Sequence, residues 1–372
     1  MTNRDLIPGE PAPWFTARCT AGDTFHFHAA AGRFVVLSFF GSASDPAAAA
    51  VLQDLAQYRD RFDDDFASFF GVSIDPQDEQ LGRVQQSIPG LRFFWDFDRS
   101  VSRLYGAERP ADAGTYRKFS VVLDERLRIL TIVVIHHERP HDHLPELLKT
   151  LELLPRLSPE QPATVQAPIL VVPRLFEPQL CRLLMEFYDR HGGQDSGFMR
   201  EVNGKTVEVS DPSFKRRRDQ EITDDKLRDM AMFRIHDRLI PEIHKAFQFK
   251  ATRIERHIVA CYDSLSRGHF SAHRDNTTKG TAHRRFAVSL NLNTGEYQGG
   301  KLRFPEFGHQ TYEAPAGGAV VFSCSLLHEA TPVLAGRRYA YLPFLYDNEA
   351  ASIREANLQY LQLNADAEAG AR

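Results

Sequence analysis

The chain has 372 residues, of which 42% are hydrophobic and 25% charged, a balance typical of soluble globular domains. This length exceeds one ordinary domain and suits two, at about 100–200 residues each. The net charge of −4 gives no electrostatic argument for binding nucleic acid or an anionic membrane. The sequence contains neither an apolar run typical of a signal peptide nor a segment of membrane-spanning length, so we expect a cytoplasmic protein with no membrane association.

The cysteines give the same indication. Cys19, Cys181, Cys261 and Cys324 lie far apart, with no CxxC pair. Such spacing is not that of a disulfide framework, so a reducing compartment is the default expectation. Cys261 and Cys324 fall in strand-like segments, and we interpret them as core residues.

Strands and helices alternate in the first half of the sequence. GRFVVLSFF (32–40) and FASFFGVSI (66–74) are apolar runs typical of buried strands, and the segment between them, 47–62, has helical spacing. The remaining predicted elements are a polar helix near 76–88, a strand over 92–97, a hairpin over 119–135 and an amphipathic helix over 143–154. This alternation predicts an open α/β sheet.

A proline-rich stretch separates the two halves. PRLSPEQPATVQAP (155–168) contains four prolines and is typical of a linker. We therefore predict a first domain over 1–155, a linker over 156–167, a second domain over 168–350 and a tail over 351–372 that is helical and then disordered.

The second half changes pattern along its length. A helix is predicted from Pro178 to His191, a polar stretch follows, and a second helix is predicted around 223–247. From Ile254 onward the chain consists of short strands punctuated by glycine, which is typical of a β-sandwich or barrel. For the basic run from Lys215 to Arg218 a solvated loop is the favoured interpretation, and a basic lid that faces substrate is the alternative.

A His-x-acid motif occurs twice, as His273-Arg274-Asp275 and as His136-His137-Glu138. With 15 histidines and 49 acidic residues in the chain, roughly two occurrences are expected by chance, so the motif alone indicates nothing. The second occurrence belongs to a histidine cluster, for which a solvated loop is favoured over a metal site: His136, His137, His141 and His143.

The context of the first occurrence is different. On an extended segment, His273 and Asp275 can point the same way because side chains alternate. A facial triad needs one further histidine from a distant strand, and His328 in VVFSCSLLHEATPV suits that position. Arg338 follows ten residues later, and its planar guanidinium is suited to binding a carboxylate.

The ordered set GHFSAHRD, SLNLN, YQGGKLRFPE, APAGGAVVF and HEATPVLAGRRYAYLPF resembles the Fe(II)/2-oxoglutarate dioxygenases of the prolyl 4-hydroxylase-like family. The resemblance covers about 168–348. It implies a double-stranded β-helix (a cupin-like jelly roll) with flanking helices, which needs Fe(II), 2-oxoglutarate and O₂, with ascorbate as a candidate reductant. It implies hydroxylation of an unactivated C–H bond, most readily on a protein or peptide side chain such as proline, giving succinate and CO₂.

The same resemblance assigns residues. It makes His273, Asp275 and His328 the iron ligands and Arg338 the partner of the distal carboxylate of 2-oxoglutarate. Its motif places the basic residue directly before the aromatic, which favours Arg338 over Arg337. Tyr262 matches a tyrosine that often lines the cosubstrate pocket.

The first half, through GEPAPWFTARCTAGDTFHF, GRFVVLSFFGSASDPAAAAVLQDL and FFGVSIDP, resembles the peroxiredoxin and thioredoxin-like superfamily over about 7–154. In that superfamily the reactive cysteine opens the helix after the first central strand, where the helix dipole lowers its pKa. The two possible registers place Ser44 to Ala47 or Ala48 there, and Cys19 precedes the strand. We therefore expect a redoxin fold without its thiol chemistry.

Two other functions stay open at this stage. One is an oxygenase acting on a small molecule or a free amino acid, and the other is a non-catalytic module in which both domains bind partners. A thiol peroxidase is nearly excluded by the missing cysteine. The sequence does not indicate the oligomeric state.

Overall fold

The computed structural model describes residues 6–109, 115–156 and 166–362. The chain divides into two compact units, Met1–Gln161 and Pro162–Arg372, and each has hydrophobic clusters of its own. The predicted linker and the end of the predicted tail lie almost entirely outside the described residues. Within the described residues, no helix has the length and apolar character needed to cross a membrane.

The first unit is a seven-stranded sheet with helices on its faces. Its elements are β1 (Thr16–Cys19), β2 (Gly22–His26), β3 (Phe34–Gly41), α1 (Pro46–Gln57), β4 (Ala67–Ser73), α2 (Pro76–Gln80), β5 (Leu91–Trp95), α3 (Ser100–Leu104), β6 (Phe119–Leu123), β7 (Ile129–Val134) and α4 (His143–Glu152). The strand order is β2-β1-β5-β4-β3-β6-β7, in which β3, β4 and β5 run parallel.

The central strands explain this arrangement. Every residue of β3 and β4 is buried, as expected for strands covered on both faces. Helices α1 and α4 supply the apolar residues that pack on one face, and α3 with the segment around Phe27 covers the other. The predicted α/β thioredoxin-like fold is confirmed.

The predicted helix over 76–88 is too long. Helix α2 ends at Gln80, and Gly82 takes a left-handed conformation with φ of 61°. A left-handed residue ends a right-handed helix, and glycine adopts it with little strain. The prediction rested on the polar composition of the segment and overlooked Gly82 as a residue that ends a helix.

The first part of the second unit contains three helices and several short strands. Its first elements are β8 (Leu170–Val172), α5 (Pro178–His191), β9 (Gln194–Asp195), β10 (Phe198–Val202), β11 (Lys205–Val209), β12 (Lys215–Arg216), β13 (Arg218–Glu221), α6 (Asp225–Arg234) and α7 (Ile240–Phe247). A π-helical turn over Ile235–Leu239 joins α6 to α7. The predicted helices over 178–191 and around 223–247 are confirmed.

The strand-rich part follows as β14 (Arg253–Glu255), β15 (Ile258–Asp263), β16 (His269–His273), β17 (Phe286–Asn291), β18 (Gln298–Gly299), β19 (Leu302–Arg303), β20 (Thr311–Tyr312), β21 (Ala319–Ser323), β22 (His328–Ala330), β23 (Val333–Ala335), β24 (Arg337–Tyr341) and β25 (Phe344–Tyr346), then α8 (Asn348–Asn357) and β26 (Leu361–Gln362). The predicted tail helix is confirmed as α8. The prediction of disorder directly after it is wrong, because residues 361–362 form β26 and pair with β11; the rest of the tail lies outside the described residues.

Two sheets form the barrel of the second unit. The larger sheet follows the path β14-β25-β17-β24-β15-β13-β9, with β21 and β8 attached to β17, and the smaller has the order β12-β16-β22-β19-β20. Helices α5, α6 and α7 pack their apolar faces on the larger sheet. The other face of this sheet carries Tyr262 and Arg338, and the smaller sheet carries the histidines of the predicted iron site. The predicted jelly roll with flanking helices is confirmed.

Gly317 packs closely against the backbone of Phe176, at the start of the second unit. Its φ is 73°, and a Cβ there would lie 2.2 Å from the carbonyl oxygen of Phe176. Gly192 has a similar φ of 81° with nothing within 4 Å of its Cβ position. We expect Gly192→Ala to lower the free energy of unfolding by about 1–2 kcal/mol through backbone strain alone, and Gly317→Ala to cost a further 1–3 kcal/mol, roughly, through overpacking.

Hydrogen exchange of the amides in α5, β8 and β21, read by mass spectrometry on the full chain, measures the loss near Gly192 in α5 and the loss near Gly317 in the two strands. Equal losses for the two variants would contradict the close contact between Gly317 and Phe176.

Candidate active site

Strand pairing brings the two predicted iron-ligand histidines together. His273, the last residue of β16, lies directly opposite His328, the first residue of β22, in an antiparallel register. Asp275 follows two residues after His273. One nitrogen of each imidazole and one oxygen of the carboxylate all lie within 4.8 Å of one another, so the three side chains could hold a single metal ion.

Hydrogen bonds to the backbone fix the orientation of both imidazoles. Nδ1 of His273 lies 2.7 Å from the carbonyl oxygen of Ser271, and Nδ1 of His328 lies 3.0 Å from that of Leu326. Because a carbonyl oxygen only accepts, each Nδ1 donates, and in the neutral form of this tautomer Nε2 has a free lone pair for a metal. These Nε2 atoms lie 3.5 Å and 3.3 Å from the Asp275 carboxylate. Two neutral imidazoles and one carboxylate form the donor set of a non-haem iron site.

Burial sets the charge of this cluster. It lowers the pKa of His328 to about 4, against the opposing charge of Asp275. Burial also raises the pKa of Asp275, but His328 and His273 outweigh that effect and hold it well below its usual range. Asp275 is therefore ionised and His328 neutral near neutral pH, a charge state that suits binding of a divalent cation. The Phe270 ring stacks on His273, and that of Phe322 lies 4.5 Å from His328.

Arg338 lies on the inner face of β24 and is 2% exposed. Its Nη2 donates to Ser289 Oγ at 2.7 Å and to Asn291 Oδ1 at 2.8 Å, and its guanidinium lies 5.2 Å from the centre of the Tyr262 ring. Its Nε has no hydrogen-bond partner among the described residues. No described carboxylate forms an ion pair with it.

A buried arginine without a carboxylate is unfavourable unless an anion is supplied from outside the chain. The planar fork of Arg338 therefore suits one carboxylate of a bound dicarboxylic acid. Gly300 makes room for the arginine, because a Cβ there would lie 3.1 Å from Arg338 Cδ. This chemistry fits 2-oxoglutarate, with the His-Asp cluster available to the other end of the molecule.

The neighbouring Arg337 is on the opposite side of β24. Its side chain is half exposed and lies 3.3 Å from Asp189. Side chains alternate along a strand, so only one of two consecutive arginines can face the interior. The structure places Arg338 there, and Arg337 outside.

One cavity of about 460 Å³ contains the predicted residues Tyr262, His273, Asp275, His328 and Arg338. Its further walls come from β10, β17 and the segment around Phe344. Lys215 and Arg217 also line it, and each is 7% exposed. The interpretation of the run from Lys215 to Arg218 as a solvated loop is therefore wrong for two of its four residues.

Alternation along two short strands explains this correction. Lys215 and Arg217 point inward, whereas Arg216 and Arg218 are exposed. Arg217 forms an ion pair with Asp219 at 2.6 Å. Lys215 donates to Ser196 Oγ at 2.7 Å and lies 4.9 Å from the centre of the Phe270 ring. Inward and outward side chains alternate along this run, but the sequence does not show the alternation because all four residues are cationic.

The second histidine cluster does not come together. Among the described residues, His273, Asp275 and His328 are the only group that could hold a metal. His141 is exposed and pairs with Asp54 at 2.9 Å. His143 is buried and lies 2.9 Å from Ser120 Oγ, so the solvated-loop interpretation is wrong for this residue.

In the first unit, a carboxylate lies at the start of the helix that carries the reactive thiol in redoxins. Asp45 accepts from the amides of Ala47 and Ala48, each at 3.0 Å. Its other oxygen pairs with Lys118 at 2.5 Å. The helix N-terminus and its nearest cation are therefore both occupied by an internal anion, which leaves them unavailable to stabilise a thiolate.

Several cavity residues were not predicted from the sequence. Ser289 and Asn291 accept hydrogen bonds from Arg338. Polar residues alternate with leucine in SLNLN, and this alternation could have predicted that both face the cavity. Phe270 precedes the His273 motif and was not assigned a role. Arg256 and Arg284 also line the cavity, and no motif indicates either.

Two family sequence models match different parts of the chain. Residues 8–130 match the AhpC/TSA family, and residues 257–346 match the 2OG-Fe(II) oxygenase superfamily. A comparison with curated proteins found no match.

Solved structures resemble each unit. A Pseudomonas putida prolyl-4-hydroxylase is similar with 18% identity and a TM-score of 0.38, covering 49% of this chain and 94% of that one. A Trichoplax adhaerens prolyl hydroxylase in complex with a hypoxia inducible factor peptide fragment has 16% identity and a TM-score of 0.37, covering 50% and 86%. The peroxidoxin BcpB of Mycobacterium tuberculosis has 20% identity and a TM-score of 0.33, covering 40% and 99%.

The chain thus joins a redoxin-like unit to an oxygenase-like unit. Its first unit matches the AhpC/TSA family model and lacks a cysteine at the position of the reactive thiol, and its second unit matches the model of the 2OG-Fe(II) oxygenase superfamily.

Proposed function

We propose that the protein is an Fe(II)- and 2-oxoglutarate-dependent hydroxylase. The observation that carries the proposal is the placement of Arg338, a buried cation that pairs with no described carboxylate, in the same cavity as His273, Asp275 and His328. A metal-binding cluster alone would suit many proteins. The added requirement for an external carboxylate is specific to a cosubstrate such as 2-oxoglutarate.

When bound, iron and 2-oxoglutarate supply the oxidation of a C–H bond by O₂, which gives the hydroxylated product, succinate and CO₂. In this proposal His273, Asp275 and His328 hold the metal, and Arg338 orients the cosubstrate by its distal carboxylate. Tyr262 packs against the guanidinium and keeps water from it. Phe270 and Phe322 hold the imidazoles at fixed angles and exclude water beside the metal, which favours positioning of the target carbon.

A polypeptide is the substrate that the cavity rim favours. Consecutive residues of β10, from Phe198 to Glu201, all line the cavity. Since side chains of a strand alternate, a run of consecutive lining residues means that the strand presents its edge there. Strand β10 is the outer strand of the sheet β10-β11-β26. An extended peptide could pair with that edge through its main chain.

Proline remains the favoured target, because the motifs around His273 and His328 resemble those of the prolyl 4-hydroxylase-like family. Ascorbate is the proposed reductant on the same ground. The first unit would have no redox chemistry and would bind substrates or partners, holding them at high local concentration because both units share one chain. Mass spectrometry of peptides incubated with the protein, Fe(II), 2-oxoglutarate and O₂ tests the proposal through the gain of one oxygen atom.

Metal binding should depend on each member of the cluster. We expect His273→Ala and Asp275→Ala each to weaken Fe(II) or Mn²⁺ binding by at least a hundredfold, since one of three protein ligands is lost. Calorimetric titration with Mn²⁺ measures this loss. His141→Ala is the matched control and should bind as the native protein does. Native metal affinity in His273→Ala would contradict the assignment.

The cosubstrate should depend on Arg338 and not on its neighbour. We expect Arg338→Ala to retain Mn²⁺ but lose 2-oxoglutarate affinity by about 100-fold or more, because a charge-assisted bidentate contact is removed. Arg338→Lys should fall between the two, since an ammonium cannot reproduce the fork. Titration of 2-oxoglutarate into the Mn²⁺-loaded variants measures both, with Arg337→Ala as control. Loss of binding in Arg337→Ala alone would reverse the assignment.

The first unit should not consume peroxide. We expect the full chain to reduce hydrogen peroxide no faster than the background with added thiol, because no cysteine opens α1 and Asp45 occupies the helix N-terminus. Peroxide consumption followed by absorbance checks this, with Cys19→Ser as the companion variant. Turnover in the native chain, with or without Cys19, would show that the unit retains thiol or other peroxidase chemistry.

A further inference from the structure

The active cavity has a second cationic end, formed by Arg256 and Arg284. Both guanidinium groups lie over the ring of Phe344, at 4.5 Å and 4.1 Å from its centre. Both residues line the cavity. Arg284 also donates to the carbonyl oxygen of Asp275 at 3.4 Å, which places this end beside the metal cluster.

Arg256 has no carboxylate partner within the described part of the chain. Its Nε donates to the carbonyl oxygen of Leu342 at 3.2 Å, and neither Nη1 nor Nη2 forms a hydrogen bond there. Arg284, in contrast, forms an ion pair with Glu255 at 2.7 Å. A guanidinium that stacks on a ring and leaves its fork free is suited to a planar anion.

The nearby carboxylates are already engaged. Asp219 pairs with Arg217, and Glu255 binds both Arg284 and His283. Burial, together with the positive charges of Arg217 and Arg284, lowers the pKa of Arg256 to about 10. This part of the cavity therefore carries excess positive charge that no described residue neutralises.

The backbone at Arg256 is in a strained conformation. Its φ is 52°, in the left-handed region that glycine and asparagine adopt with least strain. Any side chain with a Cβ atom is costly for folding at such a position. Its backbone thus fixes where the Arg256 side chain leaves the main chain, and that side chain lines the cavity.

This end lies at a different level of the barrel from Arg338. On β17, Ala287 pairs with Phe344, whereas Ser289 and Asn291 contact Arg338. At about 3.3 Å per residue, the two levels are roughly 7–13 Å apart along the strand. The two ends could therefore bind two different carboxylates at once.

We propose that Arg256 binds a carboxylate of the substrate and so selects polypeptides with an aspartate or glutamate close to the hydroxylated residue. This rests on the proposed function, because it treats the Arg338 end as the cosubstrate site. The Nη atoms of Arg256 donate to the carboxylate, and Arg284 adds its charge beside them. A free amino acid could present the same carboxylate chemistry, so the test must separate the two sources.

The test uses the full chain loaded with Zn²⁺ and 2-oxoglutarate, so that binding is measured without turnover. The peptide probes are N-acetylated, C-amidated heptapeptides with a central proline and with either glutamate or glutamine two residues before or after it. Free L-glutamate is the small-molecule probe. We expect the native chain to bind at least one glutamate peptide tenfold or more tighter than its glutamine counterpart, and to bind free L-glutamate weakly.

The principal variant is Arg256→Asn, which suits the left-handed backbone and should fold at least as well as the native chain. It should lose the preference for the glutamate peptide and keep its 2-oxoglutarate affinity. Arg256→Lys should keep part of the preference. Arg253→Gln, an exposed arginine three residues earlier that contacts Asn348, is the control and should behave as native.

The outcomes separate the two proposals. Equal binding of glutamate and glutamine peptides by the native chain, or an unchanged preference in Arg256→Asn, would overturn the substrate subsite. Loss of 2-oxoglutarate affinity in Arg256→Asn would also overturn it, by assigning Arg256 to the cosubstrate. Tight binding of free L-glutamate that depends on Arg256 would replace the peptide by a small molecule. Failure of the native chain to bind 2-oxoglutarate would instead refute the proposed function.

Discussion

The pairing of His273 with His328 across β16 and β22 is the constraint on which the second unit depends. It is a contact between backbone strands, and it sets the distance between two imidazoles without any help from a metal. The irregular register between Phe270 and His273 turns the end of β16, and Asp275 then follows at the point where the chain leaves the sheet. Backbone bonds to Ser271 and Leu326 complete the arrangement by fixing both imidazole tautomers.

The larger sheet serves a different purpose. Its inner face carries a buried cation, Arg338, whose hydrogen bonds go to neutral groups on β17. Neutral partners orient a guanidinium without cancelling its charge. Had Ser289 been an aspartate, the internal ion pair would have removed the attraction for an external carboxylate. The site thus depends on two features of the sheet: it gives Arg338 neutral hydrogen-bond acceptors, and it places no described carboxylate against the guanidinium.

The sequence allowed much of this site to be predicted, for a physical reason. Strands have a fixed period of two and glycine turns constrain direction, so His273, Asp275, His328 and Arg338 could be placed from spacing and resemblance together. For Lys215 and Arg217 the favoured interpretation was a solvated loop, because a run of four cations has no visible alternation. Arg256 was missed because its role depends on which nearby carboxylates are already engaged, and such pairing is a property of the folded chain.

The last described strand has a consequence for how the cavity forms during synthesis. Strand β26 pairs in parallel with β11, and Lys205 bonds to the carbonyl oxygen of Gln359, 154 residues away along the chain. Contacts between such distant residues form late, because a long loop must close first. The sheet that contains β10 is therefore incomplete until residues 361–362 have left the ribosome. An unfinished protein could assemble its metal cluster from residues 273–328 while the rim that would receive a substrate is still lacking its third strand.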